Sequence, residues 1–118
     1  MTKSQQFVIA FLLFASCEYK DIGTAEVARP CTPETAISFS KDIHLIFETK
    51  CSYAKCHNQD NNLIPYLTNW KEINSTKSDI PFQLQNGAMP PSGSAGGQLS
   101  SHQKALILCW IDQGALDN

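Results

Sequence analysis

Apolar residues in this chain recur at helical spacing, and nothing alternates convincingly at period two. Ile43, Ile46 and Phe47 fall at i, i+3 and i+4, the stripe of an amphipathic helix. Ser40 is placed to cap that helix, Asp42 suits its positive first turn, and it runs to about Lys50. The clearest helix is the last. Ser100 with Gln103 forms a capping box, Leu106, Ile107, Trp110 and Ile111 make one stripe, and Gly114 is placed as the C′ residue. Thr68 to Asn74 reads as a short helix with Trp70 and Ile73 turned inward. Ile80 to Gln85 reads as another, with Pro81 tolerated in its first turn. Asn86 to Gln98 holds four of the six glycines and two of the six prolines, so it is an irregular loop. The expectation is an all-α domain of three to five helices with long connections. Its apolar core is thin for its loops, and a bound prosthetic group would supply the missing volume.

Composition narrows the field. A chain of 118 residues allows one domain. Charged residues make up 17%, against a globular average of about 25%, and the net charge is −2. Without a basic excess, a nucleic-acid partner is not expected. Phe7 to Ala15 is an unbroken apolar run of nine. A membrane span needs about 20 residues, so the run suits the h-region of a secretory signal. It ends at Phe14-Ala15-Ser16-Cys17, which resembles the lipobox of bacterial lipoproteins. That resemblance implies lipid attachment at Cys17 and removal of residues 1–16; the alternative is a standard signal peptide cut nearby. Residues 17–36 then form a tether, and residues 37–118 the domain. Glu18 to Thr35 has no clear period, and about 18 flexible residues reach on the order of 25 Å.

Five cysteines are many for so short a chain, and export places them in an oxidising compartment. The most informative segment is Cys51-Ser-Tyr-Ala-Lys-Cys56-His57. The common haem-attachment pattern is C-x-x-C-H, in which two thiols add to the porphyrin vinyl groups and the histidine ligates iron. Here two further residues separate the thiols. On a regular helix, positions i and i+5 lie about 140° past a full turn, so Cys51 and Cys56 cannot share a face. The residues between them are expected to bulge outward beyond the helix end. A zinc site using Cys51, Cys56 and His57 with His102 or Cys109 is the rival, although neighbouring Cys56 and His57 would strain two bonds to one small ion. A plain dithiol or disulfide is the third alternative. A low-spin haem needs a sixth ligand. With Met1 in the leader, Met89 is the sole thioether candidate, in the loop Gly87-Ala88-Met89-Pro90-Pro91.

With these pieces in hand, the chain resembles the small monohaem c-type cytochromes, of the lipoprotein kind found in Gram-negative bacteria. The resemblance covers roughly Ile37 to Asn118. It rests on Phe39 to Ile43 with Ile46 and Phe47, on Cys51 to His57, on Gly87 to Pro91, and on Leu99-Ser100 with Trp110 to Ala115. It implies one haem c per chain, with thioether attachment at Cys51 and Cys56, proximal ligation by His57 and distal ligation by Met89. Cys31 and Cys109 then remain, a pair able to form a disulfide that pins the tether to the last helix. Their alternative is a buried free Cys109 beside Trp110.

The expected function is electron carriage rather than catalysis, because two filled axial sites leave no room for substrate. Redox proteins and, through the lipid, a bacterial membrane (periplasmic face or outer membrane) are the expected partners. Two alternatives stay open. One is a haem-based sensor or small-ligand module with a labile Met89. The other is a zinc or metal-free structural lipoprotein. His44 and His102 read as surface or structural residues, with a ligand role only in place of Met89. Trp110 is expected in the helix–helix contact. Trp70 and Tyr53 fit either the haem pocket or the core, and Lys55 lies in the attachment bulge.

Overall fold

The computed structural model describes residues 31–53, 55–60 and 64–118. The leader, Cys17 and the tether as far as residue 30 lie outside the described residues. A π-helical turn (Phe39–Ile43) runs directly into α1 (His44–Lys50). Then come α2 (Trp70–Ser75), α3 (Ile80–Gln85) and α4 (Ser101–Asp112). Among the described residues there is no strand, and no helix is long and apolar enough to cross a membrane.

The first helix starts differently from expectation. Ser38, not Ser40, is the cap: its hydroxyl accepts from the Lys41 amide at 3.3 Å, and its own amide donates to the Asp42 carboxylate at 2.8 Å. The reason is the π turn, in which the His44 amide reaches back five residues to the Phe39 carbonyl. The wider turn takes Ser40 into the helix, where its amide and hydroxyl donate to the Asn118 carbonyl at 3.0 and 2.9 Å. The apolar stripe is as expected, with Ile43, Ile46 and Phe47 all buried.

α4 crosses this segment. Ile107 and Trp110 are fully buried, Leu106 and Ile111 are half-buried, and the Trp110 ring lies 5.6 Å from that of Phe39. The Ser100–Gln103 capping box is formed in both directions. At the other end, the Gly114 amide donates to the Ile111 carbonyl and the Ala115 amide to that of Trp110, both within 2.9 Å. This is a Schellman ending, and Gly114 takes the left-handed φ of +99° that it requires.

Both tryptophans hold the tail that follows. The Trp110 indole donates to the Leu116 carbonyl at 2.9 Å, and the Trp70 indole to that of Ala115 at 2.8 Å. Trp70 therefore docks α2 on the tail that follows α4. α2 begins at Trp70 because Asn69 caps it, while the Glu72 carboxylate accepts from the Thr68 amide and hydroxyl at 2.9 and 2.7 Å. On the opposite flank, Cys31 and Cys109 are disulfide-bonded, with Cα atoms 5.2 Å apart. Gln113 secures the same strap: its amide nitrogen donates to Thr35 O at 2.8 Å and Thr32 O at 3.3 Å, and its oxygen accepts from the Ile37 amide at 2.9 Å.

Candidate functional site

α1 ends one residue before the first thiol. Beyond it, the Cys56 amide donates to the Tyr53 carbonyl at 3.0 Å and the His57 amide to the Cys51 carbonyl at 2.9 Å. Lys55, exposed and at a left-handed φ of 69°, turns the chain back. Ser52, Tyr53 and Lys55 thus lie outside the helix, as the angular argument required. The closing bond from His57 to Cys51 brings the imidazole-bearing residue beside the first thiol despite the longer spacing.

His57 is held at two points. Its carbonyl accepts from the Leu67 amide at 2.8 Å, and its Nδ1 lies 2.7 Å from the Pro65 carbonyl oxygen. A carbonyl can only accept, so Nδ1 carries a proton, and in the neutral imidazole Nε2 is then the nitrogen with the lone pair. An imidazole fixed in this tautomer by a backbone carbonyl is oriented to donate Nε2 to a metal.

Cys51, Cys56, His57 and Met89 line a single cavity of about 420 Å³. Its walls are apolar, drawn from α1 (Phe47), α3 (Ile80, Leu84), α4 (Ile107) and the connections (Leu67, Pro90). Lys50, Lys55 and Gln83 supply polar groups at its edge. The volume falls within the range of about 300–1,000 Å³ usual for small-molecule and cofactor sites. Two exposed apolar residues, Ile64 and Met89, also line it, at 73% and 40% exposure.

The chemistry of these groups discriminates among ligands. Burial, reinforced by charge on Cys56, pushes the Cys51 thiol up to about 12. A redox-active or nucleophilic cysteine needs the opposite shift, so Cys51 is poorly suited to dithiol exchange. Among the described residues, no three His, Cys, Asp or Glu side chains converge to hold a bare metal ion. The two thiols, the imidazole and the thioether are instead arrayed around a cavity the size of an organic group. This donor set and apolar wall fit a covalent haem.

The structure also places the side chains that the sequence left undecided. His44 lies against Phe39, with ring centroids 5.6 Å apart, and neither His44 nor His102 lines the cavity. Trp70 faces the C-terminal tail, and Tyr53 packs under Gly96, so neither is a pocket residue. Sequence reasoning missed three residues. Pro65 accepts from His57, Lys50 donates to the Gly96 carbonyl at 2.6 Å, and Gln98 holds the carbonyls of Pro90 and Pro91 at 2.9 Å each. The last two bonds act between segments, or across a loop without a period, where pattern carries no signal. No protein-family model matches the chain, and no curated protein or solved structure matches it either.

Proposed function

We propose that the domain is a one-electron carrier that holds a single haem c, attached through Cys51 and Cys56 and ligated by His57 and Met89. The observation that carries this reading is the convergence of those four side chains on one apolar cavity, with the His57 Nδ1 already engaged by Pro65. A haem c bound there supplies a reversible iron(III)/iron(II) couple. The chain's own residues do the rest. Pro65 fixes the imidazole tautomer, and Phe47, Leu67, Leu84 and Ile107 exclude water from the cavity floor. A thioether donor and an apolar wall both favour the reduced form. With export and lipidation at Cys17, the carrier would serve redox partners close to a bacterial membrane.

The test is expression of the full chain with a haem-attachment system, followed by intact mass and a visible spectrum. The expected result is one covalent haem, low-spin c-type bands and a lipid-modified N-terminus. Loss of covalent haem in Cys51→Ser/Cys56→Ser supports the assignment; a wild-type protein without covalent haem refutes it. The exposure of Met89 favours one second reading, a haem module in which Met89 yields its place to a small ligand. Ready carbon monoxide binding by the reduced native protein would select that reading, and resistance would select the carrier.

A further inference from the structure

Met89 belongs to no helix, so whatever holds its loop decides how well it can serve as a ligand. The loop is poor in backbone donors at the decisive point, because Pro90 and Pro91 have no amide hydrogen. Their carbonyls are the only main-chain groups available there. One side chain reaches both: the Gln98 amide nitrogen lies 2.9 Å from Pro90 O and 2.9 Å from Pro91 O, the second of which also accepts from the Ser94 amide at 3.1 Å. A carboxamide carries two N–H groups, one for each carbonyl. The Met89 amide adds a longer bond of 3.3 Å to the Gln83 carbonyl at the end of α3. The far side of the loop is moored separately, by Lys50 Nζ on the Gly96 carbonyl.

We infer that Gln98 is a positioning residue: its carboxamide clasps the Pro90–Pro91 turn and so sets how firmly Met89 keeps its place against competing small ligands. The inference rests on the electron-carrier proposal above. It separates the two haem readings, because a tight clasp makes a carrier and a loose one a ligand-binding module. Gln98 is itself exposed, so its removal acts on the loop more than on the core.

The experiment titrates imidazole into the oxidised, haem-loaded full chain and follows the visible spectrum. Wild type is compared with Gln98→Ala, with Gln98→Glu, and with Ser94→Ala. The Ser94 hydroxyl bonds within the same loop, to Gly97 O at 3.2 Å, and does not touch the proline carbonyls; its amide, which donates to Pro91 O at 3.1 Å, is kept in Ser94→Ala. Losing two neutral hydrogen bonds should tighten apparent imidazole affinity about five- to hundredfold in Gln98→Ala. Gln98→Glu should match it at neutral pH, because a carboxylate of the same length cannot donate. Ser94→Ala should stay near wild type. Hydrogen exchange at the Met89 amide, measured with and without haem, should quicken in both Gln98 variants. Unchanged imidazole affinity in Gln98→Ala, or an equal rise in Ser94→Ala, overturns the inference while leaving the carrier proposal intact. A wild-type chain that takes up no haem overturns the carrier proposal and, with it, this role for Gln98.

Discussion

Replacing Gly96 by alanine tests how the glycine-rich loop is seated on the end of α1. A Cβ at this position would lie 2.6 Å from the Thr49 carbonyl oxygen, 2.8 Å from Tyr53 Cε1 and 3.1 Å from Tyr53 Cδ1. Real Cβ contacts essentially never fall below 3.0 Å. The tyrosine ring can swing aside, but the Thr49 carbonyl is helical backbone and cannot. The loop must therefore retreat, and it carries the Gly96 carbonyl away from Lys50 Nζ. Overpacking of this kind costs about 1–3 kcal/mol. Loss of the charge-assisted bond adds about 1.5–3 kcal/mol, and the reduced freedom of the unfolded alanine chain returns about 0.4–1 kcal/mol. The expected net loss is about 1.5–5.5 kcal/mol, each kcal/mol lowering Tm by about 4–8 °C for a domain of this size. Urea unfolding of wild type, Gly96→Ala, Tyr53→Ala and the double variant measures it. Because Tyr53→Ala relieves only the ring contact, it should rescue Gly96→Ala by less than about half of the loss. Stability of Gly96→Ala within about 0.5 kcal/mol of wild type, or full rescue by Tyr53→Ala, would refute the argument.

Three other perturbations have defined outcomes. Cys31→Ser with Cys109→Ser opens a loop of sequence separation 78, which the chain-entropy treatment values at about 4.5 kcal/mol; denaturant midpoints under identical buffer check it. Gln113→Ala strips the buried Ile37 residue of its amide acceptor and frees the carbonyls of Thr32 and Thr35. It should cost about 2 kcal/mol and quicken exchange of the Ile37 amide. Glu72 is held below its ordinary value of 4.5, chiefly by the Thr68 hydroxyl. Its folded state binds fewer protons than the unfolded chain, so its contribution is present above pH 4.5 and disappears as pH falls through the lowered folded value. For so exposed a carboxylate the effect is under about 1 kcal/mol. The stability gap between wild type and Glu72→Gln should narrow from pH 6 to pH 3, and a gap that widens contradicts the sign.

What could be read in advance was what short-range physics dictates. The α4 capping box, the Gly114 ending and the buried stripe of α1 each depend on residues within one or two turns, and all are formed. α3 runs from Ile80 to Gln85 as its pattern indicated. The start of the first helix was misplaced because a π turn adds a residue that no 3.6-residue period foresees. The spacing of Cys51 and Cys56 correctly demanded a bulge, yet it could not say that His57 would close back on the Cys51 carbonyl. The four candidate cofactor residues are recognisable by type and order. Their supports are not. Pro65 acts through its own main-chain carbonyl, and Lys50 and Gln98 through bonds to the carbonyls of Gly96 and Pro90; a carbonyl acceptor leaves no mark on the residue that supplies it.

The bond between Cys31 and Cys109 closes a covalent ring that encloses α1, α2, α3, the glycine-rich loop and most of α4. A protease that cuts once inside this ring separates nothing. The two pieces stay one molecule, heavier than the uncut chain by a single water, until a reductant is added. The segment that presents Met89 is the part of the ring richest in glycine and proline. A protein scissile there would migrate as intact on a non-reducing gel while its hold on Met89 had already been lost. Purity judged without reduction therefore says nothing about whether that hold has survived.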